Sequence, residues 1–119
     1  MLIVDDNEKN IFALSAILRV KGMHVISAEN GEKGIAKIKE FPEIDIVLMD
    51  MMMPVMDGYE AMKHIRTVLK IENLPIIALT AKAMKGDREK CIEAGANEYC
   101  SKPVDFGNLK EILLKYLGS

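Results

Sequence analysis

Cysteine is scarce in this chain of 119 residues: Cys91 and Cys100 are the whole supply. They are too few for a disulfide framework, and their spacing matches no metal site. An excess of one charge is also missing. Sixteen Lys and Arg stand against 18 Asp and Glu, a net of −2, which leaves no basic surplus to grip nucleic acid over a broad face. No apolar run approaches the roughly 18 residues of a membrane span, because Asp45, Asp50 and the charged helical segments interrupt every candidate. Asp5 and Asp6 arrive so early that no secretory leader is expected. Long linkers and low-complexity stretches are absent too. What is there has a globular balance, 50% hydrophobic and 29% charged. The length fits one domain, residues 1–119, able to bury roughly two-thirds of its unfolded surface. A single cytoplasmic domain is expected.

The apolar pattern changes period repeatedly. Met1 to Val4 is a short continuous apolar run, as in a strand buried on both faces. Asp6 or Asn7 can cap a following helix, in which Ile11, Leu14 and Leu18 form a stripe at helical spacing. Gly22 suits the left-handed residue that ends it. His24 to Ala28 reads as a second strand. Asn30-Gly31 turns into a helix carrying Ile35 and Ile38, stopped by Phe41-Pro42. Ile44 to Met49 is a third strand, apolar except for Asp45, and it closes on Asp50. A loop from Met51 to Asp57 leads to a helix that Asp57 caps and in which Met62, Ile65 and Leu69 share a face. Pro75 opens a fourth strand, Ile76 to Leu79, closed by Thr80, and the helix after it ends near Ala94-Gly95. Tyr99 to Ser101 is a short fifth strand before Lys102-Pro103. The last helix, from about Asp105 to Leu117, turns Phe106, Leu109, Leu113 and Tyr116 or Leu117 inward. Five βα units in a row predict an α/β fold: a doubly wound, flavodoxin-like parallel sheet of five strands, order 2-1-3-4-5, with five helices over both faces.

Such sheets bind ligands beyond the carboxyl ends of their strands. Strand one closes on Asp5-Asp6, strand three on Asp50, strand four on Thr80 and strand five on Lys102. Three carboxylates brought together repel one another, so a cation enters or one of them keeps its proton. An all-oxygen acidic pocket selects a hard divalent ion, Mg²⁺ first, with Mn²⁺ able to substitute. A metal on Asp5 and Asp6 would bridge Asp50 to a phosphoryl oxygen. Asp50 would then be the in-line nucleophile, giving an aspartyl phosphate. Thr80 can donate to one phosphoryl oxygen and Lys102 can pair with another. Taken singly these residues have plainer readings: Asp6 or Asn7 as a cap, Thr80 as a β-branched strand end, Lys102 before Pro103 as an extended turn. Capping explains no lysine at a strand end, so the joint occurrence favours the phosphoryl site.

The segments Ile3-Val4-Asp5-Asp6-Asn7, Leu48-Met49-Asp50 through Met56-Asp57-Gly58, Ile77-Ala78-Leu79-Thr80-Ala81 and Ser101-Lys102-Pro103 closely resemble response-regulator receiver domains of two-component signalling. Motif order and spacing match along essentially the whole chain. The resemblance implies an Asp50 phosphoacceptor, a Mg²⁺ site of Asp5, Asp6, Asp50 and the backbone carbonyl of Met52, with Asp6 the closer ligand, and Thr80 and Lys102 on the phosphoryl group. It also implies that Tyr99 follows the movement of Thr80, that the Lys102-Pro103 peptide is cis, and that phosphorylation changes the surface of helix four, strand five and helix five. Met52 and Lys82 stand where the family varies, beside the path of the hydrolytic water. Apolar Met52 is expected to hinder that water and prolong the phosphorylated state, so a longer-lived phosphoryl group in Met52→Asn would refute the idea. Met51 and Met53 read as filler.

The phrasing Asn7-Glu8-Lys9-Asn10 and Ala78 to Ala83 is most like the receivers of hybrid histidine kinases. With a first strand that is short for the family, the expectation is a piece of a larger protein, at the cytoplasmic face of the membrane; a stand-alone regulator is the alternative. Phe12, Ala16 and Val20 lie on helix one opposite its inward stripe, a strip suited to a helical phosphodonor, either a histidine kinase or a histidine phosphotransfer protein. Chance surplus of apolar residues explains the strip equally well. No nucleic-acid or membrane contact is expected, and the domain is expected to be a monomer or weak dimer. The resemblance implies a regulatory phosphoacceptor that promotes its own phosphorylation and dephosphorylation rather than an enzyme. The alternative is a degenerate receiver acting only in protein interaction, which the complete set of site residues disfavours. A phosphatase of the haloacid dehalogenase type would need an Asp-x-Asp pattern after strand one, and a flavin-binding domain a Gly- and hydroxyl-rich loop there; Asp5-Asp6-Asn7-Glu8 offers neither.

Overall fold

Each short apolar run becomes a strand in the computed structural model, and each amphipathic stretch between them a helix. The structure describes residues 1–20, 22–51, 56–80, 87–101 and 106–117. In chain order the elements are β1 (Leu2–Val4), α1 (Glu8–Val20), β2 (Ile26–Ala28), α2 (Gly31–Glu40), β3 (Val47–Asp50), α3 (Gly58–Thr67), β4 (Ile76–Thr80), α4 (Asp87–Ala94), β5 (Glu98–Ser101) and α5 (Phe106–Leu117). The strands pair parallel in the order β2-β1-β3-β4-β5, the order expected from the sequence.

Alternation along the strands divides the core in two. Leu2, Val4, Val47, Met49, Ile76 and Ala78 meet Ile35, Ile38, Met62, Ile65 and Cys91 on one face, where α2, α3 and α4 lie. Ile3, Leu48, Ile77 and Leu79 meet Leu14, Leu18, Leu109 and Leu113 on the other, under α1 and α5. Because both faces are covered, the strands read as continuous apolar runs.

Polar side chains set the helix starts. Asn7 Oδ1 accepts from the backbone of Lys9 at 2.9 Å and of Asn10 at 3.3 Å, so Asn7 rather than Asp6 caps α1. Asn30 caps α2 through Lys33 N at 2.8 Å, and Asp57 caps α3 through Glu60 N at 2.9 Å. Left-handed glycines follow α1 and α4: Gly22 at φ +84° and Gly95 at φ +124°.

Three boundaries differ from the sequence reading by two residues or more. β2 starts at Ile26, whose N–H donates to the Met1 carbonyl at 2.9 Å; His24 is exposed coil. β3 starts at Val47, which donates to the Pro75 carbonyl, since Pro75 has no N–H to continue the ladder upstream. Leu69 lies beyond α3, in a turn closed by Leu69 N and Ile71 N on the carbonyls of His64 and Ile65, and packs half-buried from there.

Candidate functional site

Parallel strands end on the same edge, so the residues that close β1, β3 and β4 become neighbours. Val4 is level with Met49, which puts Asp5 beside Asp50, and Asp50 is level with Leu79, one residue before Thr80. The carboxylates of Asp5, Asp6 and Asp50 each place an oxygen within 4.8 Å of the other two. Asp5 and Asp50 are 1% and 3% exposed and Thr80 is 4% exposed, whereas Asp6 faces solvent. At such separations like charges repel. A divalent cation would offset that repulsion, and the all-oxygen donor set fits Mg²⁺ or Mn²⁺. With Asn7 capping α1, Asp6 is released from the capping role that the sequence left open. Asp5 Oδ1 is fixed by the Asn7 backbone N–H at 2.9 Å.

Two glycines lie tightly against described residues at and after the end of β3. A Cβ on Gly58 would lie 2.6 Å from Met51 Sδ and 2.7 Å from the Asp50 carbonyl oxygen. A Cβ on Gly31, the first residue of α2, would lie 2.7 Å from the Met56 carbonyl oxygen. Gly58 closes the Asp50–Gly58 motif, whereas no sequence signal announces what Gly31 packs against.

Tyr99 is half-buried, paired in register with Ala78 and packed on the same core face as α2, α3 and α4. Met52, Lys82 and the Lys102-Pro103 peptide lie outside the described residues. The site therefore brings together Asp5, Asp6, Asp50 and Thr80 of the residues singled out, with Tyr99 two residues down the sheet from Thr80's level. On α1, Phe12 is 77% and Val20 85% exposed, and Ala16 and Ile17 are exposed between them.

Residues 1–114 match the response regulator receiver domain family. The chain belongs to that family. This receiver is 36% identical over 116 residues to the signal transduction histidine-protein kinase BarA of Escherichia coli, covering 98% of the chain but 12% of the kinase. It spans only that small part of the first curated relatives it matches. Among solved structures, it is similar to the receiver domain of sensor histidine kinase PA1611 from Pseudomonas aeruginosa, at 40% identity and a TM-score of 0.86 over 99% of this chain and 96% of that one; a magnesium ion is coordinated in the active site cleft of that protein. It is also similar, at 31% identity and a TM-score of 0.90 over 97% of this chain and 86% of the matched chain, to the co-crystal structure of the Saccharomyces cerevisiae histidine phosphotransfer protein Ypd1 with the receiver domain of Ssk1. No described helix is long and apolar enough to cross a membrane.

Proposed function

We propose that this receiver is a Mg²⁺-dependent switch that takes a phosphoryl group from a phosphohistidine donor onto Asp50. The observation that carries the reading is the convergence of the Asp5, Asp6 and Asp50 carboxylates, oxygens within 4.8 Å, at the carboxyl ends of β1 and β3. Asp5, Asp6 and Asp50, with the carbonyl of Met52, would hold the divalent ion. When bound, the ion neutralises charge on the carboxylates and on the phosphoryl oxygens.

Asp50 attacks phosphorus with a carboxylate oxygen. The new P–O bond forms as the donor's P–N bond breaks, and the imidazole leaves with the bonding pair. Burial of Asp50 fixes its angle of approach, which is most of what phosphoryl transfer asks of a protein. Thr80 donates its hydroxyl to one phosphoryl oxygen, and Lys102 pairs with another. The added charge draws Thr80 toward Asp50, and Tyr99, packed on the same face of the sheet, turns into the space left behind. The surface of α4, β5 and α5 changes with it and carries the signal. Met52 and Lys82 tune the lifetime of the aspartyl phosphate, with Met52 hindering the hydrolytic water.

The donor is a histidine kinase or histidine phosphotransfer protein that lays a helix along the exposed Phe12, Ala16 and Val20 strip of α1, next to the acidic cluster. Phe12→Ser is expected to slow transfer from a phosphorylated histidine phosphotransfer protein by about tenfold, the loss of one apolar anchor, and to leave phosphorylation by acetyl phosphate unchanged. Equal transfer by the two chains would remove the docking strip. The reading itself is tested by intact mass after incubation with acetyl phosphate and Mg²⁺. It requires a gain of one phosphoryl group that disappears in Asp50→Asn; no gain, or a gain that survives the substitution, overturns it.

A further inference from the structure

The far end of α4 is held by one side chain of another helix. Arg66, in the last turn of α3, donates from Nε and Nη2 to the Gly95 carbonyl at 3.1 and 2.8 Å, from Nη2 to Asn97 Oδ1 at 2.9 Å and from Nη1 to the Ile71 carbonyl at 3.0 Å. Asn97 extends the clamp to the first residue of β4: its Oδ1 accepts from Ile76 N at 3.0 Å and its N–H donates to the Ile76 carbonyl at 2.8 Å. The aliphatic stem of Arg66 lies on Gly95, where a Cβ would come 2.8 Å from Arg66 Cγ. A planar guanidinium can serve three acceptors at once in this way, and a lysine ammonium on the same stem cannot reproduce it. Burial pulls Arg66 below the ordinary arginine value and Glu72 opposes that pull.

The helix so anchored has little grip of its own. Among residues 88–94, only Cys91 and Ala94 are buried, and Arg88, Glu89 and Lys90 toward its start are exposed. Its start is the end joined through residues 81–86 to Thr80. One end of α4 is therefore pinned to α3 and, through Asn97, to β4, while the other is joined along the chain to Thr80.

We propose that Arg66 is a positioning residue of the switch, fixing α4 at Gly95 so that a displacement of Thr80 reaches α4 as a pivot about that end. This rests on the functional reading above, in which phosphorylation of Asp50 draws Thr80 inward.

Hydrogen exchange of the full chain, before and after phosphorylation by acetyl phosphate with Mg²⁺, tests it in wild type, Arg66→Met and Arg66→Lys. In wild type, phosphorylation is expected to change exchange at 88–91 and leave 95–97 unchanged. Arg66→Met keeps the stem and loses the donors. Its amides at 95–97 are expected to exchange about tenfold faster even without phosphorylation, and phosphorylation then changes both ends of α4. Arg66→Lys, the milder variant, is expected to show the same pattern at reduced size. The pivot is overturned if phosphorylated wild type changes at 95–97 as much as at 88–91, or if the folded variants keep wild-type protection there. A wild-type chain that gains no phosphoryl mass overturns the functional reading instead, whatever the variants show about the clamp.

Discussion

The two ends of the sheet treat charge in opposite ways. At the carboxyl ends, β1 and β3 deliver Asp5, Asp6 and Asp50 into one small volume, like charge against like. At the amino ends of β4 and β5, the Arg66 guanidinium spreads over the carbonyls of Gly95 and Ile71 and the amide oxygen of Asn97. The second end satisfies its charge from within the chain and so holds the fold. The first gathers three carboxylates, an all-oxygen donor set that would suit a divalent cation.

Removing one charge from each end should therefore move stability in opposite directions. Asp50→Asn is expected to abolish phosphoryl gain and to raise stability without Mg²⁺ by about 1 kcal/mol, by relieving carboxylate repulsion. Arg66→Met is expected to lower it by about 2–3 kcal/mol, because the carbonyls it served lose their donors. Urea unfolding in metal-free buffer checks both, and a loss in both variants would erase the distinction. Adding Mg²⁺ should sharpen it: at a hundred times its dissociation constant the ion stabilises wild type by about 2.7 kcal/mol, a gain expected to be largely lost in Asp50→Asn.

A more moderate effect is expected at Gly58, where the added methyl of Gly58→Ala would run into Met51 Sδ and the Asp50 carbonyl. We expect about 1–3 kcal/mol of destabilisation, with slower phosphoryl gain because Asp50 is displaced. Gain at the wild-type rate by a destabilised variant would show that the glycine serves the fold alone.

The smallest effect belongs to β5 and α5, where Lys115 Nζ donates to Glu98 Oε1 at 2.8 Å with Lys115 largely exposed. Lys115 holds the Glu98 carboxyl below its ordinary value, and Glu98 raises Lys115. The pair's stabilisation is thus complete above the ordinary glutamate value and fades as pH falls through the lowered one. On the alkaline side it is complete below the ordinary lysine value and fades as pH rises through the raised one. The stability difference between wild type and Glu98→Gln should be small, widest near neutrality and gone at both extremes. A difference that grows toward acid would contradict the pairing.

Much of the fold was legible because strands buried on both faces announce themselves as unbroken apolar runs. The edges were not, since Pro75 sets where β3 begins and does not lie in the strand it limits. Nor did α4 announce more than its end at Gly95, for a helix with two buried side chains carries almost no stripe. The acidic site was legible for a topological reason: residues closing parallel strands must meet, so Asp5, Asp6, Asp50 and Thr80 fell together once the order of the sheet was known. Arg66 was silent. Two of its three acceptors are backbone carbonyls, which have no sequence signature, and the third, Asn97, is 31 residues away.

The most direct test of the central claim is the rate of phosphoryl gain from acetyl phosphate as Mg²⁺ is titrated, followed by peptide mass in wild type and Asp6→Asn. The expected result is a rate that saturates with Mg²⁺ in wild type, the same curve shifted to higher Mg²⁺ in Asp6→Asn, and the phosphoryl group on the peptide holding Asp50. A rate indifferent to divalent cations, or a phosphoryl group on another peptide, would contradict it.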